Sequence, residues 1–328
     1  MITAADAEYH KVDPKAFSWV ETNAFTISIP EHAISCYTYV LARRNAGVCH
    51  TMVVMHKGYA DHPTDVIWED ARMHVPEPKS LLDFDLESGF GTTVTRAPND
   101  YHLRYNSNDG ACKFDINFKA LVGPYNPHDA EQNVLRKQHA DSTSAGGWGQ
   151  AWSTGHFDML GHMTGALTLD GKTYKVDCVD GMDHSWGPRP EWEMGSIAWV
   201  NISLGPELAF HILCPSEFVD GETVHGPLTF GHMCENGKMI ALTAVKVKGK
   251  NRNFLGARRE FTITDALGRT WEVAGEGIGG YALSTAYPSF VVYSTLYRWT
   301  MGGRVGHAHI QEVYGRGTLG RMGRKARL

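Results

Sequence analysis

The sequence contains no apolar run of about 18 residues or more, so no segment reads as a membrane-spanning helix. The first residues, MITAADAEYHKVDPK, lack a charged stretch followed by an apolar one. No secretory signal is therefore visible, and a cytoplasmic location is expected. The six cysteines (36, 49, 112, 178, 214 and 234) form no CxxC pair and are expected as reduced thiols buried like small hydrophobes. Positive charge is not in excess, since 31 Lys and Arg face 36 Asp and Glu for a net charge of −5. Nucleic-acid binding by bulk electrostatics is thereby disfavoured. The one basic cluster, Arg316 to Arg327, reads as a solvated, frayed terminus. The 35 glycines in 328 residues follow no Gly-X-Y period, which excludes collagen and favours turn-rich β architecture.

Helical periodicity is also scarce; the one helix the pattern predicts is short, Pro127–Lys137. Alternating runs rich in β-branched and aromatic residues dominate instead, among them Phe25–Ser28, Tyr37–Leu41, Thr51–Met55, Tyr101–Tyr105 and Lys113–Phe118. Turn signals such as Arg44-Asn45-Ala46-Gly47 separate them. A hairpin is predicted over His156–Leu169, the turn Asp170-Gly171 and Thr173–Val179. The second half repeats this grammar from Ala198 to Tyr314 without an internal sequence repeat. Many short strands with Gly-rich turns indicate an all-β sandwich or barrel class. The prolines at Trp186-Gly187-Pro188-Arg189-Pro190 cannot continue a central strand. They set the expected division into two β domains, residues 1–189 and 190–328.

The densest group of reactive side chains is Gly181-Met182-Asp183-His184-Ser185-Trp186-Gly187-Pro188-Arg189, expected on a loop at a strand end. Its competing interpretation is a structural corner: Asp183 caps a turn, Trp186 plugs a barrel end and Arg189 pairs with a carboxylate. In the preceding strand, period two places His156, Asp158, Leu160 and His162 on one face and Phe157 on the other. That polar stripe lines a cavity if it faces inward and is a solvated face if it does not. Metal ligation by His156, His162, His184 and His211, or by His307 and His309, is weakly indicated, because 17 histidines produce such pairs by chance and no HExxH spacing exists. No GxSxG elbow appears, and the adjacency of Asp183, His184 and Ser185 is not how a triad is built. Gly275–Gly280 is glycine-rich but is expected between strands, not opening a helix as a nucleotide loop does.

The segment GHMTGALTLDGKTYKVDCVDGMDHSWGPR (161–189) resembles the hallmark hairpin of the hydroxyneurosporene synthase (carotenoid 1,2-hydratase) and AttH-like superfamily. The starting Trp19-Val20-Glu21 and the closing Gly306–Glu312 strand are compatible with it. The resemblance implies two consecutive lipocalin-like antiparallel β-barrel or sandwich domains packed together. It also implies cofactor-free addition of water to isoprenoid double bonds, with fungal relatives guiding cyclisations. The strand-end aspartate, proposed there as proton donor, corresponds to Asp183. The hydratase tyrosine two positions earlier is replaced here by Gly181, and the aromatic expected ahead of the hairpin corresponds to Phe157 or His156.

The expected function is therefore a cofactor-independent lyase of the hydratase/dehydratase or isomerase type, acting on a hydrophobic terpenoid, steroid or aromatic molecule. Asp183 would be its general acid/base, and His184 or His156 would position water or remove the proton. Trp186, Phe157, Asp158, His162, Tyr293, Tyr297 and Arg189 are the candidate substrate-binding residues. Arg189 would lower the pKa of Asp183 if the two pair. The alternatives are a non-catalytic carrier of lipophilic ligands and a pericyclase-type cyclase. No cofactor, metal, nucleic-acid partner or membrane span is expected, and a homodimer is compatible with the sequence.

Overall fold

The computed structural model describes residues 1–136, 154–189, 191, 195–284 and 289–325, which fold into two large antiparallel sheets. The first contains β1 (Trp19–Ile29), β2 (Ile34–Arg43), β3 (Val48–Lys57), β4 (Trp68–Pro76), β5 (Asp83–Asp85), β6 (Phe90–Arg96), β7 (Asp100–Asn106), β8 (Cys112–Ala120), β9 (Gly155–Leu169) and β10 (Lys172–Pro188). Its spatial order is β4-β3-β2-β1-β10-β9-β8-β7-β6-β5. The second contains β11 (Ile197–Ser203), β12 (Leu208–Val219), β13 (Glu222–His225), β14 (Phe230–Glu235), β15 (Lys238–Arg252), β16 (Leu255–Asp265), β17 (Thr270–Leu283), β18 (Phe290–Met301) and β19 (Arg304–Gly315). Its order is β11-β19-β18-β17-β16-β15-β14-β12-β13, and β11 also pairs with β12, so eight strands close into a barrel. The fold is lipocalin-like, one curled half-barrel beside one closed barrel.

Local sequence explains the curl and the turns. Along β8, Cys112, Phe114, Ile116 and Phe118 point to the core while Lys113, Asp115 and Lys119 face solvent. The sheet bends far enough for Trp68 Nε1 of β4 to donate to the Tyr105 hydroxyl of β7 at 3.1 Å. Asp170 and Gly171 both adopt positive φ (47° and 77°), the backbone a two-residue hairpin requires.

β1 is buried on both faces. Trp19, Phe25 and Ile27 enter the core of the first sheet, while Val20 and Ala24 pack against Ile197, Leu213, Phe230 and Val313 of the second. Backbone hydrogen bonds also join the sheets, from Ala60 N to Gly280 O (2.9 Å) and from Gly280 N to Gly58 O (3.1 Å). A Cβ on Gly279 would lie 2.8 Å from Gly58 O, so this close approach accounts for the glycine-rich run.

Three expectations are corrected. Gly275–Gly280 lies within β17 and not between strands. Residues 127–135 form turns in place of the predicted helix, whose last residue lies outside the described residues. The basic terminus is helical as α1 (Arg316–Lys325), with Arg316 Nη2 donating to Ser284 O at 3.0 Å. All six cysteines are free and buried. No helix among the described residues is long and apolar enough to cross a membrane.

Candidate active site between the two sheets

β10 runs unbroken to Pro188, so Asp183–Trp186 sits on a strand and not on the expected loop. Alternation then separates neighbours that the sequence places side by side. Met182, His184 and Trp186 turn toward the first sheet's core, whereas Asp183 lines a cavity facing the second sheet. Antiparallel register sets Asp183 directly beside Ala24 of β1 and Asp158 of β9, with Ser185 beside Thr22 and His156 one step along. The stripe His156–Asp158 therefore faces inward, toward β11 and β12.

The second sheet contributes Trp199 and Asn201 of β11, His211 of β12 and Gln311 of β19, which with Tyr37, Thr26 and Asp183 enclose a cavity of about 20 Å³. That is room for a water molecule. A larger ligand has to displace side chains such as Tyr37 and Trp199.

A continuous set of buried polar contacts crosses the interface. His156 Nε2 contacts Asp158 Oδ2 at 2.8 Å, and His211 Nε2 faces the same oxygen at 3.4 Å. His211 Nδ1 meets Asn201 Oδ1 at 2.9 Å, and Asn201 Nδ2 donates to Asp180 Oδ1 at 2.9 Å. Because the Asn201 amide nitrogen is committed to Asp180, its oxygen must accept, which fixes the proton of His211 on Nδ1 and turns Nε2 to Asp158. Asp180 Oδ2 in turn holds His309 Nδ1 at 2.6 Å, and His309 Nε2 reaches Ser35 Oγ at 2.9 Å. The chain thus runs from β9 through β12, β11 and β10 to β19 and β2.

Gly181 makes this arrangement possible. A Cβ there would lie 2.3 Å from Asn201 Nδ2, so the carboxamide occupies the space a side chain would take.

The two adjacent aspartates have opposite acidities. Burial opposes ionisation of Asp158, but the neighbouring imidazoles, His156 at hydrogen-bond distance and His211 facing it, outweigh it and hold the carboxyl well below the usual range. At Asp183 burial prevails: against the pull of His156, Arg189 and His211, and helped by the charge of Asp158, its pKa is raised to about 6. Arg189 Nη2 donates to Ser185 Oγ at 2.5 Å, and its charge pulls the Asp183 pKa down without overcoming burial. Burial also depresses His232 to about 3. That ring stacks on Tyr125 with centroids 4.6 Å apart, and its centroid is 5.6 Å from that of His211.

Of the expected residues, Asp183, His156 and Asp158 converge, with Arg189 buried close by. His184 is corrected to the opposite face of β10, where it stacks on Phe157 (5.3 Å) and lies 3.3 Å from Glu21. Phe157 and Trp186 belong to the first sheet's core and do not line the interface. His162 lies at the surface, paired with Asp177 at 2.8 Å. Tyr297 is packed inside the barrel on Trp299, and Tyr293 stacks on Phe254 toward Tyr314, so neither reaches Asp183. The structure adds Trp199, Asn201, His211 and Gln311. Alternation places them on one face of their strands, but only the sheet pairing reveals that this face meets Asp183.

Fold and site together define a two-lobed lipocalin-like β protein that holds an acid–base cluster between its lobes. The chain belongs to the DUF7064 family, a domain of unknown function whose model matches residues 3–313. No curated protein matches it significantly. Among solved structures it is similar to kievitone hydratase from Nectria haematococca, with a TM-score of 0.52 and 11% identity over 92% of this chain and 93% of that one. It is also similar to CghA crystallised with Sch210972, with a TM-score of 0.48 and 14% identity over 91% and 88% of the two chains.

Proposed function

We propose that this protein is a cofactor-independent lyase of the hydratase/dehydratase type, with Asp183 as general acid and the Asp158–His211 pair as its basic counterpart. The observation that carries the proposal is the pair of neighbouring carboxylates on one sheet face whose surroundings drive their acidities apart, Asp183 upward to about 6 and Asp158 downward. In the hydration direction the protonated Asp183 transfers its proton to one alkene carbon, leaving a cation on the other. The water attacks that cation, and its proton passes to His211 Nε2, which Asp158 steadies as it becomes charged. In dehydration the same carboxyl protonates the leaving hydroxyl and the base removes a proton from the adjacent carbon. Trp199 and Tyr37 line the cavity, and once a ligand has opened it, an aromatic ring turned to the cation would supply ~0.5–2 kcal/mol. The hydratase with this fold, and the resemblance of residues 161–189, support the reaction class without naming a substrate.

Mass spectrometry of small molecules recovered from the wild type and from Asp183→Asn tests the proposal. The wild type should interconvert a ligand pair differing by one water, and the variant should retain one member unchanged. Undiminished turnover in the variant, or a wild type that returns every bound ligand unaltered, refutes the assignment.

A further inference from the structure

The second buried cluster of ionisable groups lies on the other side of β10, outside the proposed active site. Its parts come from three places: His10 from the amino-terminal segment, Glu21 from β1 and His184 from β10. His10 Nδ1 is 2.7 Å from Glu21 Oε1, and His184 Nε2 is 3.3 Å from the same oxygen. All three donor atoms lie within 4.8 Å of one another. We infer that His10, Glu21 and His184 form a binding site for a divalent transition ion of the zinc class, which fastens the amino-terminal segment to the first sheet.

Four observations carry this. Two imidazoles and one carboxylate are a donor set zinc uses, with the fourth position left for water. Zinc–ligand distances of ~2.0–2.2 Å at a tetrahedral angle put neighbouring donors about 3.3 Å apart. The His184–Glu21 separation matches that edge as it stands. His10 needs to retreat by about 0.6 Å, a small shift for a residue outside the helices and strands whose backbone N also donates to Glu21 at 3.2 Å.

The ring of His184 is fully buried; its Nε2 has only the 3.3 Å contact with Glu21, and its Nδ1 makes no hydrogen bond among the described residues. With only this long contact to the buried Glu21, the imidazole gains a stronger partner when a cation binds between the two. The outer partner is also present. His10 Nε2, the nitrogen turned away from the cluster, faces Asp6 Oδ1 at 3.2 Å, and Asp6 is itself held by the backbone amide of Thr3 at 2.6 Å. A carboxylate on the far nitrogen is the usual support of a metal-bound histidine. Finally, Trp186 stacks on His10 with ring centroids 3.7 Å apart and 6° between planes, shielding one side, while His10 retains partial exposure as an entry path.

The test uses the full-length protein, stripped with a chelator and titrated with Zn²⁺ by calorimetry, with bound metal counted after gel filtration. One ion per chain is expected. His10→Gln and His184→Gln should each weaken binding at least tenfold, and Asp6→Asn should weaken it by ~10–100-fold as an outer-sphere change. His10 lies outside the sheets, so circular dichroism of His10→Gln should match the wild type even if His184→Gln fails to fold. Absence of binding at micromolar Zn²⁺, or binding that His10→Gln leaves unchanged, overturns the site.

Discussion

Replacing Asp183 by asparagine should stabilise the protein while abolishing its chemistry, because the two properties depend on one carboxyl in opposite senses. The unfolded carboxyl titrates near ~3.9, and in the folded chain the value is about 6. The native state therefore holds the proton more tightly, and the stability lost at this position grows as pH rises from about 4 and levels above about 6. A shift of ~2 pH units at ~1.36 kcal/mol each sets a ceiling of ~3 kcal/mol, which partial exposure to the cavity reduces to ~2 kcal/mol. Asparagine has nearly the same shape and carries no such cost. At pH 7.5 the variant should exceed the wild type by ~2 kcal/mol in urea unfolding, a rise in Tm of roughly 4–8 °C. At pH 4.5 the difference should shrink below ~1 kcal/mol. A variant no more stable at pH 7.5 than at pH 4.5, relative to the wild type, would show that the carboxyl is ionised without penalty and would remove the basis for an acid catalyst.

Other perturbations test the surrounding structure. Gly181→Tyr should expel the Asn201 carboxamide and uncouple His211 from Asp180; His211 ring shifts in NMR spectra should change, and conversion of the recovered ligand should fall while the fold persists. Glu312→Gln should cost ~3–5 kcal/mol in chemical denaturation, because it strips the fully buried Arg259 of the carboxylate 2.7 Å away. Gly279→Val should destabilise by ~1–3 kcal/mol through collision with the Gly58 backbone, measured as a lower urea midpoint. If the acid is Asp183, the pH–rate profile should show activity declining above about 6, and that limb should be missing from any residual activity of Asp183→Asn.

Much of the fold was legible because period two is a local property. The alternation over Lys113–Phe118 and the Asp170-Gly171 turn state their structure in a few residues, and both form as read. The inward stripe of His156 and Asp158 was visible as a stripe, though not its direction, which depends on the second sheet covering β9. His184 lies away from Asp183 for a different reason. The hairpin reads as ending at Val179 with Gly181–Arg189 on a loop beyond it, whereas β10 continues to Pro188 and alternation sends Asp183 and His184 to opposite faces. The partners of Asp183 lie 16 to 128 residues further along, at Trp199, His211 and Gln311, and only tertiary pairing identifies them. Glu21 and His10 escaped notice likewise, since nothing near them in sequence indicates the third donor 163 positions beyond the glutamate.

The unbroken course of β10 makes the protein intolerant of small insertions and deletions there. Loss of one residue between Val179 and Met182 would leave the hairpin's hydrogen bonds able to re-form. Every side chain beyond the lesion would nonetheless change sides, delivering an imidazole and an indole to the inter-lobe chamber and burying an acid among aromatic rings. Natural variation in this stretch should therefore be confined to substitutions, with length changes displaced to the Asp170-Gly171 turn, where a frame shift reaches no buried group first.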